Sequence, residues 1–225
     1  MSRPFEVQLE KAYARRVLFA LELLDAVTLS RVSQGVKKVV ALGLEGEPTV
    51  NSSGCFVWLD QDIGNLQKVT FDLGVLPYES IELAAADVKL PLTTIELQPR
   101  ADYPFAAGTT GIRGTLIEER VIPPQVPVPV EDAEVGLRWL DDDDVTWHDA
   151  PTISRTNSDG DFVSILRLAP NEVPDLDADR KLTVRLRARR NANERTSSDL
   201  KLLQGRVADP STLSALTFAW DELQP

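Results

Sequence analysis

The sequence predicts an all-β protein made of two tandem, small antiparallel β-sandwich modules. Short runs of alternating or clustered apolar residues recur along the 225 residues, and no stretch keeps a helical period. An eight-residue pattern also occurs twice, because residues 51–58 (NSSGCFVW) match residues 157–164 (NSDGDFVS) in register. Each copy has the composition of a polar turn followed by an alternating strand, which indicates an internal duplication.

The first module is predicted over residues 18–100, preceded by an N-terminal arm over residues 1–17. Its strands are expected where β-branched, aromatic and other apolar residues alternate or cluster between turn residues. These segments are residues 18–24, 36–42, 55–59, 68–73, 81–83 and 93–97. About six or seven short strands are typical of a small sandwich.

A linker is predicted over residues 101–111, where Pro104, Gly108 and Gly111 interrupt any periodic pattern. Because such a segment carries few ladder hydrogen bonds, we expect limited proteolysis to cut there. The second module follows over residues 112–225. Its strands are expected at residues 112–118, 133–139, 162–168, 181–189 and 213–220. Since successive strand residues face opposite sides, Trp139 is expected to face the core.

Composition and charge exclude several classes of protein. Hydrophobic residues make up 43% and charged residues 26%, as in a soluble globular protein, and no apolar run is long enough to span a membrane. The net charge of −11 makes a general nucleic-acid binder unexpected. The single cysteine, Cys55, allows no internal disulfide, and charged residues interrupt any apolar core near the N-terminus, so no signal peptide is expected. We therefore expect a cytoplasmic protein, which could still be incorporated into an exported or extracellular particle.

The repeated turn invites comparison with calcium loops, because Asn157, Asp159 and Asp161 alternate as calcium ligands do. The glycine of the turn is the fourth residue instead of the sixth, and no distal glutamate follows at the required position. Backbone geometry explains the motif without a metal, since Gly54 and Gly160 suit a left-handed conformation. No cofactor and no metal site are expected.

Three segments of the second module carry a family resemblance: residues 129–135 (PVEDAEV), 157–162 (NSDGDF) and 168–170 (LAP). They resemble the carboxypeptidase regulatory-like, transthyretin-like β-sandwich family, whose members share a "pV.gA.V" strand and a "T..dG.f" turn. The first module is similar at residues 53–56 and 95–99 but lacks the Ala-x-Val strand after a proline. The resemblance implies Ig-like folds and a noncatalytic domain for binding or scaffolding. It also implies an accessory component of a phage-tail-like or contractile injection particle.

Opposite charges concentrate in two blocks of the second module. Residues 131–161 contain ten acidic residues against two arginines, and residues 180–206 contain nine basic residues against two acidic ones. The acidic loop is longer than its counterpart in the first module, and enlarged loops on a rigid scaffold often bind partners. The candidate partner-binding residues are Asp141, Asp142, Asp143, Asp144, Trp147, Arg185, Arg187 and Arg189.

Two interpretations of the arginines remain open. They share one face of a strand, where they could contact an acidic partner or pair across the sheet with Glu134 and its neighbours. The first interpretation predicts that the acidic loop and the basic stripe act as oppositely charged contact surfaces.

The functional hypothesis is a noncatalytic structural or protein–protein interaction module that works inside a larger assembly, with homo-oligomerisation left open. An enzyme is not expected, because His148 is the only histidine and no Gly-x-Ser-x-Gly elbow is present. The alternative is a carbohydrate-binding module in which Trp58, Trp139 or Trp147 supplies a stacking platform.

Overall fold

A computed structural model describes residues 16–59, 63–121, 124–143, 145–208 and 216–225 of the chain. This part is all-β, and its helices are short 3₁₀ turns, which include Ile63–Asn65, Ala85–Asp87 and Trp220–Glu222. None of its helices has the length and hydropathy needed to cross a membrane. The predicted N-terminal arm lies outside the described residues except for its last two positions, as do the first three residues of the predicted strand 213–220.

The strands follow one another along the chain without an intervening α-helix. Those of the first half are β1 (Val17–Asp25), β2 (Lys38–Leu42), β3 (Thr49–Val50), β4 (Phe56–Leu59), β5 (Lys68–Asp72), β6 (Glu82–Ala84) and β7 (Leu92–Leu97). Those of the second half are β8 (Thr110–Ile117), β9 (Glu134–Leu140), β10 (Trp147–Arg155), β11 (Asp161–Leu166), β12 (Lys181–Arg190), β13 (Asn193–Thr196), β14 (Leu200–Leu203), β15 (Val207–Ala208) and β16 (Thr217–Ala219).

Two sheets enclose the core of the first half. One sheet has the order β3-β4-β1-β7 and the other the order β2-β5-β6. Alternate residues of each strand point inward, for example Leu21 in β1 and Val39 in β2, because side chains alternate across a strand. Trp58 is 1% exposed and stacks on Phe19 with ring centroids 4.6 Å apart. The inward residues of both sheets form one hydrophobic cluster.

The second half repeats this arrangement with longer strands. One sheet has the order β10-β9-β12, with β13 and β14 both paired to β12, and the other has the order β11-β8-β15, with β16 also paired to β8. Trp139, Phe162 and Leu186 lie in a second hydrophobic cluster that is separate from the first. Trp139 is 1% exposed, so its predicted place in the core is confirmed.

One sheet in each half is mixed, whereas the sequence predicted antiparallel sandwiches; the sheet β2-β5-β6 and the sheet of β9, β10, β12, β13 and β14 are antiparallel throughout. In each half the first strand pairs antiparallel with the strand that follows the repeated turn, β1 with β4 and β8 with β11. The same first strand pairs in parallel with the last strands, β1 with β7 and β8 with β15 and β16. A parallel pair needs a long connection, which the rest of each half supplies. The first and last strands are too far apart in sequence for local patterns to predict their pairing.

Strand β10 is the main correction to the predicted elements, since no strand was predicted between the strands at residues 133–139 and 162–168. Pro151 lies in the middle of this strand, where a proline cannot donate a ladder hydrogen bond. The structure accommodates the proline because β10 is an edge strand whose register against β9 shifts between Asp149 and Ile153. The buried face of β10 contacts β11, where Thr152 Oγ1 donates to the carbonyl oxygen of Ile165 at 2.7 Å.

The predicted linker is held by both halves. Tyr103 is 6% exposed, belongs to the first hydrophobic cluster and donates its hydroxyl to the carboxylate of Asp25. From the second half, the Arg113 guanidinium donates to the carbonyl oxygens of Ala101 and Tyr103. Arg167 donates to the carbonyl oxygen of Ala26 at 2.7 Å. Polar contacts therefore tie the two halves together on both sides of the junction.

Candidate functional site

The repeated turn has the same hydrogen bonds in both halves. Asn51 Oδ1 accepts from the backbone N–H groups of Ser53 and Cys55 at 3.0 and 2.9 Å. Asn157 Oδ1 accepts in the same way from Asp159 and Asp161, at 2.9 and 2.8 Å. The asparagine oxygen that a calcium ion would need is therefore already bonded to the backbone in both copies.

Asp161, the last acidic residue of this turn, is also used inside the fold, because its Oδ1 accepts from Thr115 Oγ1 at 2.7 Å. Among the described residues, no group of three or more His, Cys, Asp or Glu side chains is placed to hold a metal ion. The turn is a structural feature that starts the strands β4 and β11.

The acidic loop between β9 and β10 is fixed by its own side chains. Asp143 Oδ1 accepts from the backbone N–H groups of Val145 and Thr146 at 2.9 and 2.7 Å, and Asp143 Oδ2 accepts from Thr146 Oγ1. The bond from the Thr146 hydroxyl is the main reason that the pKa of Asp143 lies below its usual value. At the base of the loop, Asp141 Oδ2 lies 2.9 Å from His148 Nε2, which lowers the pKa of Asp141.

A neighbouring segment supports the loop from outside. The backbone N–H of Asp142 donates to the carbonyl oxygen of Val173 at 3.2 Å, and that of Asp175 donates to the carbonyl oxygen of Leu140 at 3.0 Å. Val145 and Val173 are 76% and 56% exposed at this end of the sheet. Asp144, the fourth predicted acidic residue, lies outside the described residues. The loop is thus a braced tip that carries exposed apolar side chains beside carboxylates.

His148 belongs to β10, although the sequence suggested a loop position. It lies opposite Trp139 of β9, and the two rings stack with centroids 4.6 Å apart and an interplanar angle of 29°. With Asp141 bound to its Nε2, the imidazole joins the loop to the buried Trp139 and braces the base of the hairpin.

The predicted arginine stripe is present on the outer face of the sheet, but its charges are paired within the chain. Arg185 contacts Asp199 at 2.6 Å and Arg187 contacts Asp149 at 3.0 Å. Arg189 forms an ion pair with Glu134, as the structural interpretation of the stripe expected. The acidic and basic blocks of the second half therefore neutralise each other in part, because β10, β9 and β12 are neighbours in one sheet.

Sequence analysis missed the acidic partners Asp149 and Asp199. A signal for Asp149 was available, since it lies two residues after Trp147 and would share its face on a strand. No strand was predicted around Asp149, and so its pairing with Arg187 was not predicted. Asp199 follows β13, a short strand in a part of the chain where no strand was predicted, and so its approach to Arg185 was not predicted.

Trp147 is partly exposed, and the guanidinium carbon of Arg185 lies 4.0 Å from its ring centroid. A cation stacked on the indole occupies one face of the only sequence-predicted platform that reaches solvent. Trp58 and Trp139 are each 1% exposed, so they offer no surface for a sugar. Two of the three aromatic platforms proposed for carbohydrate binding are therefore core residues.

Comparisons of the chain with protein-family models, with curated proteins and with solved structures found no match in any of the three. A function for the chain therefore has to be inferred from its own contacts and surfaces.

Proposed function

We propose that the chain is a noncatalytic protein of two tandem, Ig-like β-sandwich modules that acts through protein contacts within a larger assembly. The observation that carries this proposal is the braced tip formed by the loop between β9 and β10. Its backbone is held by Asp143 and by the segment around Val173, while Val145 stays 76% exposed. A surface that is ordered before binding loses less conformational entropy when a partner docks.

The tip has the chemistry of a protein-contact surface. The exposed Val145 lies in the chain between the carboxylates of the loop and the partly exposed Trp147. The tip therefore offers an apolar contact with charged groups beside it, as protein interfaces do. Asp141, Asp142 and Asp143 orient a partner electrostatically more than they add affinity, because exposed ion pairs contribute little. In this proposal Arg185, Arg187 and Arg189 mainly stabilise the sheet on which the tip stands.

The resemblance to carboxypeptidase regulatory-like sandwich domains supports a particular kind of assembly, a phage-tail-like or contractile injection particle. It points to an accessory position in a phage-tail-like or contractile injection particle, where small β-domains decorate or connect larger parts.

The test compares two substitutions of exposed valines. The intact chain, Val145→Asp and Val75→Asp are each immobilised and exposed to an extract of the source cells, and the captured proteins are identified by mass spectrometry. Val75 is 95% exposed in the first half and serves as the matched control. We expect Val145→Asp to lose a partner that the intact chain and Val75→Asp both retain. An identical set of captured proteins for all three would contradict the proposed role of the tip.

A further inference from the structure

A groove of about 320 Å³ lies between the two halves of the chain. The first half contributes Glu79, Ser80, Ile81 and Gln98, and the second half contributes Glu134, Pro151, Ile153, Ser154 and Arg155. Junctions between folded units are common places for binding sites, and pockets of roughly 300 Å³ and above hold small ligands or side chains. Glu134 and Arg155 lie at the end of β9 and β10 opposite to the loop that joins these strands, so the groove is separate from the braced tip, and it was not predicted from the sequence.

Within the described part of the chain, Glu79 supplies a carboxylate that has no hydrogen-bond or ion-pair partner. The residue is partly buried, and its carboxylate makes no hydrogen bond or ion pair with any side chain in the described part of the chain; only its backbone N–H is bonded, to the carbonyl oxygen of Gln98 at 2.9 Å. Burial raises the pKa of Glu79, although the positive charges of Arg100 and Arg155 oppose that rise. A carboxylate that has lost water without gaining a partner is stabilised by a cation that enters beside it.

Gln98 supplies a second acceptor. Its Oε1 is buried and has no hydrogen-bond partner within the described residues. Buried acceptors are nearly always bonded in folded proteins, so the unpaired Oε1 of a residue that lines the groove is an acceptor that a donor could satisfy once the side chain turns toward it. The groove thus combines a partly buried carboxylate with an unsatisfied amide oxygen.

The cation of the groove is already engaged. Arg155 contacts Asp132 at 2.6 Å and Glu134 at 3.0 Å, and Glu134 also accepts from Arg189. Arg155 is therefore held by its two carboxylates, away from a hydrogen bond with Glu79. Ser154 is committed as well, because its hydroxyl donates to the carbonyl oxygen of Val163. The donors of Arg155 and Ser154 are therefore already used. The groups left to bind a ligand in the groove are the acceptors of Glu79 and Gln98.

The remaining lining is apolar. Ile81, Pro151 and Ile153 line the groove, and Ile153 is 37% exposed. The alkyl stem of a ligand could cover these side chains while its charged head reaches the carboxylate of Glu79. Lysine and arginine side chains behave in this way, because their stems pack on apolar surface while their heads stay in polar surroundings.

We propose that this groove binds an alkylammonium or alkylguanidinium group, with Glu79 and Gln98 accepting from the cationic head and Ile81, Pro151 and Ile153 contacting the alkyl stem. The same chemistry occurs in a lysine or arginine side chain of a partner and in a free alkylamine. The proposal does not depend on the function assigned to the tip between β9 and β10.

The test is a titration of the full-length chain, labelled with ¹⁵N, followed by NMR. The probes are the capped amides N-acetyl-arginine methylamide and N-acetyl-lysine methylamide, the free ions butylguanidinium and butylammonium, and the uncharged N-acetyl-norleucine methylamide. We expect saturable shifts of the backbone signals of Ser80, Ile81 and Ile153 with the cationic probes and none with the norleucine probe. Tighter binding of the capped amides would assign the site to a partner's side chain, and tighter binding of the free ions to a small amine.

Two substitutions decide the roles of the acceptors. Glu79→Gln keeps the shape of the side chain and is expected to weaken binding at least about tenfold, the loss typical of a charge-assisted hydrogen bond. Gln98→Leu is expected to weaken binding less, because a neutral acceptor is lost. Glu119→Gln removes an exposed carboxylate away from the groove and should leave binding unchanged. Thermal unfolding of each variant confirms that it is folded.

The proposal would be overturned by any of three results. These are equal shifts with the norleucine probe, shifts of the backbone signals near many surface carboxylates, and unchanged affinity of a folded Glu79→Gln variant.

Discussion

Arg180 occupies the position in one loop that Gly160 occupies in another. In the loop that ends at Lys181, Asp177 Oδ1 accepts from the N–H groups of Asp179 and Lys181, each at 2.9 Å, which are the contacts that Asn157 makes around Gly160. Both residues have a positive φ, 61° for Arg180 and 77° for Gly160. The chain therefore builds the same turn a third time, with an arginine in the left-handed conformation that suits glycine.

Arg180→Gly is expected to stabilise the protein by up to about 1 kcal/mol, because it removes the unfavourable left-handed conformation of a residue with a Cβ. Arg180→Ala is the matched control, since it keeps the Cβ but removes the bond from Arg180 Nη2 to Gln204 Oε1 at 3.0 Å. Urea unfolding measures both variants. A glycine variant no more stable than the alanine variant would show that the backbone conformation costs nothing here.

Gly160→Ala is expected to destabilise the protein more than Gly54→Ala, although the two turns have the same hydrogen bonds. A Cβ at Gly160 would lie 2.3 Å from the backbone oxygen of Leu116, whereas one at Gly54 would lie 3.0 Å from the hydroxyl oxygen of Ser33, a side chain that can move. We expect a loss of about 1 kcal/mol at Gly54 from the left-handed conformation alone, and a larger loss at Gly160. Thermal and urea unfolding provide the comparison, and equal losses would contradict the steric explanation.

Proteolysis of the junction is expected to be confined to the exposed residues 106–108 instead of spreading over the predicted linker. The carbonyl oxygens of Ala101 and Tyr103 are held by Arg113, and the ring of Tyr103 is buried. Arg113→Ala should extend cleavage to residues 101–105 and speed it severalfold, measured by mass spectrometry with a protease that does not select arginine. Arg100→Ala, which removes the ion pair with Asp102 at 2.7 Å but leaves the contacts of Arg113 in place, is the control and should cleave like the parent.

Glu79→Gln is expected to raise the free energy of unfolding at neutral pH and to change it little in acid. Burial raises the folded-state pKa of Glu79 above its usual value of 4.5, so the folded state holds the proton more tightly than the unfolded state. The stability that this group contributes is present below 4.5 and is lost as pH rises through the folded-state pKa. Glutamine cannot ionise and avoids that loss.

Urea unfolding at about pH 4 and about pH 7 checks this prediction, with Glu119→Gln as the control. The groups around Glu79 that also influence its charge are Arg100, Arg155, Asp102 and Asp132, with Glu134 in the same groove. A difference between Glu79→Gln and the parent that is the same at both pH values would rule out ionisation of Glu79 as its cause.

Asp149→Asn is expected to cost more stability than Arg187→Gln. Asp149 contacts Arg187 at 3.0 Å and Arg138 at 3.1 Å, so losing Arg187 leaves the carboxylate with one partner. Losing the carboxylate leaves two arginines on one face, beside Arg185, which lies opposite Arg138 in the sheet. We expect less than about 1 kcal/mol for Arg187→Gln and a clearly larger loss for Asp149→Asn, both shrinking at high salt. The reverse order in urea unfolding would contradict this account of the arginine stripe.

The sequence by itself determined the all-β character, most strand positions and the repeated turn. These features depend on local chemistry: alternation places Trp139 and its neighbours on one face, and Asn157 bonds to the backbone N–H groups that follow it. The arginine stripe was predictable for the same reason, because residues two apart in a strand share a face.

Only the tertiary structure decided which strands pair, what neutralises the charges and where the groove lies. The parallel pairing of β1 with β7 joins segments from opposite ends of the first half, and no local pattern encodes it. Strand β10 forms despite Pro151 because an edge position and a shift in register remove the need for one ladder hydrogen bond. Glu79 and Arg155 meet only because the two halves dock, so the groove between them depends on long-range packing.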